Sequence, residues 1–273
     1  MSTQSPAAQP KPSSTEDEID LLALIGTLWD NKNLIVAITS VFTILGVAYA
    51  LLATPIYQAT AIIQVEEKQP GLPGMSDITE MLGSESEAVT EIELIKSRSV
   101  VGSTVDKLHL AIEAKPVYAP ILGGAIARKF KDADGELATP ILGLNQYAWG
   151  GEKLAITELD VPDAFYGEEL ELIAEESDSY QLLGPKGTPI LEGKTGEKRV
   201  ESGFSIYVQS LNARPGTRFS VIKHRRLSTI IELQEELGAS ERGKDSGIIA
   251  LAFEHKSPEF AEDILNTISQ FYV

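Results

Sequence analysis

The chain has 273 residues, 43% hydrophobic and 23% charged, which is enough apolar material for packed cores and excludes an intrinsically disordered chain. A formal net charge of −17 repels phosphate backbones, so nucleic acid is excluded as an expected partner, and the acidity itself reads as a solubility device. The absence of cysteine excludes disulfides, thiolate catalysis and Cys-ligated zinc, and it suits cytoplasm and periplasm equally.

Residues 1–15, MSTQSPAAQPKPSST, are rich in Pro, Ser and Gln and are expected to form a disordered tail. From Glu16 to Asp30, the apolar positions Ile19, Leu22, Leu24, Ile25, Leu28 and Trp29 predict a short amphipathic helix, with Trp29 where an interfacial aromatic sits. Leu34 to Ala53, LIVAITSVFTILGVAYALLA, then runs for twenty residues without a charge. At about 1.5 Å per residue it spans roughly 30 Å, the hydrocarbon thickness of a bilayer. Apolar side chains lie all round this helix, which argues against a surface helix with one greasy stripe. Ala48-Tyr49-Ala50 resembles a signal-peptidase site, but the preceding region is acidic (Glu16, Asp17, Glu18, Asp20, Asp30) and the leader would be too long. An uncleaved transmembrane anchor is expected. Lys32 precedes the span and the next basic residue is Lys68, so the positive-inside bias places the N-terminus in the cytoplasm. Thr54-Pro55 closes the helix, because a residue before proline disfavours the α region.

Past the span, YQATAIIQVEE alternates, with Tyr57, Ala59, Ala61, Ile63 and Val65 on one face, and predicts a strand. Residues 68–86 carry loop punctuation. TEIELIKSRSVVGSTVDKLHL predicts helix, with Ile92, Ile95, Val101, Val105 and Leu108 at near-helical spacing. A capping box is expected from Thr90 and Glu93, and a second cap at Ser99 after a break. Residues 115–165 have no readable period. Short apolar runs from Leu170 to Val208, separated by GPKGT, EGKTGEK and ESG, predict β-hairpins. RFSVIK reads as strand, LSTIIELQEEL as helix with Leu227, Ile230 and Leu237 in line, and GIIALAFEH as strand. In the final SPEFAEDILNTISQFYV, Ser257 is the expected N-cap, Pro258 occupies the first turn, and Ala261, Ile264, Leu265 and Ile268 share a face.

One motif invites a catalytic reading. From Gly238 the chain has glycine, four residues, then Gly243-Lys244, one residue short of a phosphate-binding P-loop. A P-loop needs a strand before it and a helix starting at the lysine, so that helical N–H groups face the phosphates. Here the helix pattern precedes and the strand pattern follows, and Asp245 stands where a Ser or Thr ligates magnesium. A helix–loop–strand connection is expected instead, with Gly238 as the residue closing the helix. His109, His224 and His255 are scattered without metal-ligand spacing, and the pairs Glu66-Glu67, Glu168-Glu169 and Glu175-Glu176 read as solvated edges. Lys223-His224-Arg225-Arg226 is the one basic island beyond the span, a helix-entry surface or a contact for an acidic neighbour, subunit or polysaccharide.

Taken in order, EIDLLALIGTLWDNKN before the span, ATPIYQATAIIQVEE, TEIELIKSRSVVGSTVDKLHL, ARPGTRFSVIK and GKDSGIIALAFEHKSPEFAEDILNTI resemble the chain-length determinant (Wzz-type) domain of bacterial polysaccharide co-polymerases. The resemblance covers nearly all of residues 16–273 and is nearest to the Wzc-like subgroup, which is fused to a cytoplasmic tyrosine autokinase. It implies an inner-membrane protein with two membrane helices flanking a periplasmic α/β domain, assembled as a ring of identical subunits. Its implied partners are a Wzy-type polymerase and an outer-membrane polysaccharide export protein, with the polysaccharide itself a further contact. The expected fold class is α/β (α+β), a mixed sheet with packed helices preceded by one transmembrane helix. The expected organisation is 1–33 as a cytoplasmic tail with a short helix, 34–53 as the membrane helix, and 54–273 as the periplasmic domain, cut short at its C-terminal helix. The family's second span, kinase core and tyrosine tail have no counterpart in these residues, so no catalytic, cofactor or metal site is carried over and the segment is not expected to be an enzyme. The expected role is a scaffold for chain-length control and export. Its rivals are the N-terminal part of a full tyrosine autokinase and a secreted sugar-binding module.

Overall fold

The computed structural model describes residues 21–65, 87–130, 135–243 and 246–272. The chain divides into two compact units, residues 1–51 and 52–273. In the first, α1 (Leu21–Asp30) is followed after one residue by α2 (Lys32–Leu52). Lys32 places its ammonium 5.1 Å from the centre of the Trp29 ring. Helix α2 is long and apolar enough to cross a membrane, and none of its residues is buried within the molecule. Water would penalise such a surface on every side of the helix, whereas lipid tails match it. The expected tail at 1–15 and Ile19 lie outside the described residues, as does the loop at 68–86.

The second unit begins with β1 (Tyr57–Gln64), α3 (Glu87–Ile95), α4 (Arg98–Lys107), β2 (Ile112–Pro116) and α5 (Gly123–Lys129). It continues with β3 (Lys153–Asp160), β4 (Glu169–Ala174), β5 (Ser179–Leu183), β6 (Pro189–Lys194), β7 (Lys198–Glu201), β8 (Phe204–Asn212) and β9 (Arg218–Lys223). It closes with α6 (Arg226–Glu236), β10 (Gly238–Glu241), β11 (Ile248–His255) and α7 (Pro258–Tyr272). Among the described residues these strands form three sheets, ordered β1-β11-β10, β2-β9-β4-β5-β6 and β3-β8-β7. The expected mixed sheet resolves into antiparallel pairs throughout, and the parallel pairing seen is the isolated bridge Tyr118–Ala148.

Two hydrophobic cores result. In the first, α3, α4, α6 and α7 cover the inner face of β1-β11-β10, burying Ile95, Val101, Val105, Ile230, Leu233, Ile249, Leu251, Phe253, Ile264 and Ile268. The alternation of β1 turns Ala59, Ala61 and Ile63 inward and leaves Gln58, Thr60 and Ile62 outside, as the sequence period dictates. The Ser257 hydroxyl accepts the Phe260 N–H at 3.3 Å and starts α7, whose buried stripe is the expected Ala261, Ile264, Leu265 and Ile268. Other helix ends differ from expectation. Thr90 lies inside α3 rather than at its cap. The break falls at Lys96-Ser97, and Ser97, not Ser99, caps α4 by accepting the Val100 N–H at 3.4 Å. On α6 the expected Ile230 is buried beside Thr229 and Leu233, and the expected Leu237 is buried just past the helix end, whereas Leu227 is 53% exposed.

The second core is a β-sandwich. The five-stranded and three-stranded sheets bury Leu159, Leu170, Leu172, Tyr180, Leu182, Ile206, Val208, Phe219 and Val221 between them. The hairpins read from Leu170 to Val208 are β4 to β8. The segment before them, unreadable by period, is held instead by one carboxylate. The Glu152 side chain is 1% exposed. It accepts the Trp149 N–H at 3.1 Å and the Gly150 N–H at 2.6 Å, with the Arg214 guanidinium at 3.7 Å. Gly151 follows at φ 88°, where an added Cβ would stand 2.1 Å from the Glu136 carbonyl oxygen, so the turn admits no side chain there.

Two predictions test the sandwich. Phe219→Ala removes a fully buried ring between the sheets and is expected to cost about 3–5 kcal/mol. Urea unfolding followed by Trp149 fluorescence in a Trp29→Phe background measures it, and amide protection of Ile249–Phe253 in the other core is expected to change far less. The Tyr180 hydroxyl is buried with no hydrogen-bond partner among the described residues, and burial pushes its pKa up to about 12. Tyr180→Phe is therefore expected to raise stability by about 1 kcal/mol in the same assay.

Candidate functional site

The sandwich, residues 112–223, is inserted between α4 and α6 of the first core. The chain must therefore cross between the cores twice, once through His109–Ala111 and once through His224-Arg225. The crossings are hydrogen-bonded to each other, the His224 N–H donating to the Ala111 carbonyl at 2.8 Å, and the first is turned by the Ile112 N–H donating to the His109 carbonyl at 2.9 Å. Immediately beyond, Ile112 faces Lys223 in the β2–β9 ladder.

The basic island occupies the second crossing, and the structure gives each member a role within the chain. Arg226 makes a bidentate contact with Asp106 of α4, both N–O distances being 2.7 Å. Its guanidinium also lies against Gly102, 3.0 Å from where a Cβ would stand. The His224 ring lies 3.0 Å from the Glu113 carboxylate of β2, which Lys115 contacts as well. Arg225 stacks over the Tyr166 ring at 4.8 Å and reaches Asp163 at 4.0 Å. Lys223 is half-buried, and desolvation lowers its pKa against the pull of Asp160. Within the chain the island therefore forms an intramolecular clamp, with Arg225 and Arg226 still 61% and 57% exposed at their side chains.

The electrostatics follow. The hydrogen bonds from Arg226 hold the Asp106 carboxyl below its ordinary 3.8, with burial opposing. The contact from Lys115, and then that from His224, lowers Glu113 below 4.5, again against burial. A cleft of about 250 Å³ opens beside the clamp, lined by Asp106, His109, Ile112, Glu158, Asp160 and Lys223. Three carboxylates, one histidine and one lysine line it.

The other singled-out residues do not converge on this place. His255 accepts the Ser257 N–H at 3.1 Å and packs on Phe260, ring centres 4.4 Å apart, at the turn into α7. Glu168, Glu169, Glu175 and Glu176 are exposed, Glu169 accepting from Ser220, while Glu66-Glu67 lies outside the described residues. The near-P-loop is a β-hairpin, β10 paired antiparallel with β11. Gly238 opens a strand instead of closing a helix in the left-handed region, whereas Gly243 (φ 104°) and Gly247 (φ 62°) are turn glycines. Lys244 and Asp245 lie outside the described residues. No group of three or more His, Asp or Glu poised for a metal occurs among the described residues. Glu152 and Asp106 were missed by sequence reasoning; the only available signal for Glu152 was its place after two consecutive glycines.

This architecture coincides with two sequence families. Residues 17–108 match the chain length determinant protein family, and residues 112–224 match the N-terminal domain of tyrosine-protein kinase Wzc. The boundary between the matches falls on the first crossing, and the second match ends on the other. The chain thus carries a Wzz-type chain length determinant domain followed by a Wzc-type N-terminal domain. Tyrosine-protein kinase etk of Escherichia coli strain K12 is 36% identical over 266 residues, covering 97% of this chain and 34% of that protein. Tyrosine-protein kinase wzc of Salmonella typhi is 31% identical over 258 residues, 94% of this chain and 33% of that one. The chain spans about a third of the length of the curated relatives it matches. Among solved structures, FlgL of Xanthomonas campestris aligns at TM-score 0.23 and 10% identity over 59% of this chain and 41% of that one, too slight a likeness to bear on the fold.

The clamp makes a directional pH prediction. Asp106 and Glu113 have lowered folded-state values, so their contribution is complete above their unfolded values, 3.8 and 4.5, and is lost as pH falls through the lower folded ones. Amides of residues 109–112 and 222–226 are expected to lose exchange protection below about pH 4, after correction for intrinsic rates, before those of the sandwich interior. Arg226→Glu is expected to cause the same local loss at neutral pH, and the swapped pair Arg226→Asp with Asp106→Arg to restore it.

Proposed function

We propose that this chain is a membrane-anchored scaffold that sets polysaccharide chain length and supports export. In this reading residues 1–33 are cytoplasmic, α2 crosses the inner membrane, and residues 54–273 stand in the periplasm. Copies tethered in one plane by α2 meet at a raised effective concentration, so weak lateral contacts suffice to close a ring. A Wzy-type polymerase and an outer-membrane export protein are the proposed partners.

One observation carries the reading: a helix with no buried residue, uncharged past Lys32, leads after four residues into β1, and both lie in the stretch that matches the chain length determinant family. A second reading is favoured by the relatives, which are named tyrosine kinases and of which this chain covers about a third. On that reading these residues are the membrane and periplasmic part of a tyrosine autokinase, and phosphotransfer belongs to other residues of the protein. The two readings are compatible.

The test is made in the native host. Replacing the chromosomal copy with Phe219→Ala, at membrane levels matched by immunoblot, is expected to shift the size distribution of the exported polymer on a gel; an unchanged distribution counts against chain-length control. An alkaline phosphatase fusion at residue 150 is expected to be active, and an inactive one places the domain on the cytoplasmic side and defeats the proposed topology.

A further inference from the structure

Outside α2, one exposed apolar feature is tied to the place where the chain leaves the proposed span. Pro120-Ile121-Leu122 forms the turn before α5, with Ile121 83% exposed and Leu122 56% exposed. Water gives a turn no reason to present two large aliphatic side chains side by side, whereas a lipid surface does.

Arg128, at the other end of α5, fixes where that turn lies. Its guanidinium donates to the Leu52 carbonyl at 2.9 Å, to the Ala53 carbonyl at 3.5 Å and to Thr54 Oγ1 at 3.3 Å. Leu52 is the last residue of α2 and belongs to the same compact unit as α5. A cation on the last carbonyls of a helix satisfies acceptors that lack helical partners. The same guanidinium folds back along α5, 3.5 Å from where a Cβ would stand on Gly124. Gly124 is two residues past Leu122, and successive Cα atoms are about 3.8 Å apart, so Leu122 lies within roughly 18 Å of the end of α2. The surroundings match a membrane interface. Ile56 and Tyr57, just past the span, are 68% and 45% exposed, and Arg128 and Lys129 are exposed cations in a chain of net charge −17.

We propose that the Ile121-Leu122 turn inserts into the headgroup–acyl boundary of the leaflet in which α2 ends, with Arg128 and Lys129 at the lipid phosphates. The turn is then a second, shallow membrane contact. The proposal rests on the reading of α2 as a span.

The absence of cysteine makes the test clean. Single variants Phe42→Cys, Ile121→Cys and Ser202→Cys of the full chain are labelled with an environment-sensitive fluorophore. They are reconstituted in mixed phosphatidylethanolamine and phosphatidylglycerol vesicles carrying nitroxide lipids. Labels at Phe42 and Ile121 are expected to shift to the blue and lose most of their emission to the nitroxide, while the label at Ser202, in the exposed β7–β8 turn, keeps its emission. An Ile121 label that behaves like Ser202 while Phe42 is quenched overturns the insertion and leaves the span reading intact. A blue shift at Ile121 that grows with protein-to-lipid ratio and is not quenched assigns the turn to contact with a second copy, which also overturns it. An unquenched Phe42 label removes the span reading and the proposal together.

Discussion

The chain passes between two hydrophobic cores twice, and both passages run through the same few residues. His109–Ala111 and His224-Arg225 are bonded backbone to backbone, and Asp106–Arg226 and Glu113–His224 stand on either side of them. Each core buries its own apolar set, and both belong to one compact unit. Their mutual orientation depends on this seam. A two-chain connection resists twisting far better than a single linker, and ionic contacts on both sides limit the remaining bend.

The distribution of charge follows from the same constraint. A strongly acidic chain keeps most carboxylates in water, where they cost nothing in desolvation. Asp106 and Glu113 sit at the seam because cations are there to meet them, and Glu152 is buried because two backbone N–H groups and Arg214 satisfy it. These carboxylates organise structure. For the scaffold proposed above, that is the relevant chemistry, because such carboxylates hold surfaces at a fixed attitude.

Sequence reading succeeded where burial has a simple period. Strand β1 and helix α7 each present one face to one core, so Ala59, Ala61, Ile63 and Ala261, Ile264, Leu265, Ile268 declare themselves by spacing. It failed at positions that local pattern leaves degenerate. Ser97 and Ser99 are both credible caps, and what separates them is packing, since Gln234 of α6 donates to the Lys96 carbonyl at 2.5 Å and pins the break there. Gly238 was read as a helix-closing residue because the residues before it are helical; its pairing with Ala252 across the sheet made it a strand instead. Residues 115–165 resisted reading because their fold is set by Glu152 and by close approach at Gly151, neither of which leaves a repeating pattern.

Composition and hydropathy alone fixed the solvent preference of each part of the chain: an uncharged run of twenty residues suits lipid, and a strongly acidic remainder suits water. Those are one-body properties, fixed by each side chain's preference for its solvent. The insertion of one core into another, the intramolecular use of the basic island and the placing of Arg128 on the carbonyls that end α2 are pairwise matters between residues 74 to 120 positions apart. Only folding brings such residues together, so only the tertiary structure decides them.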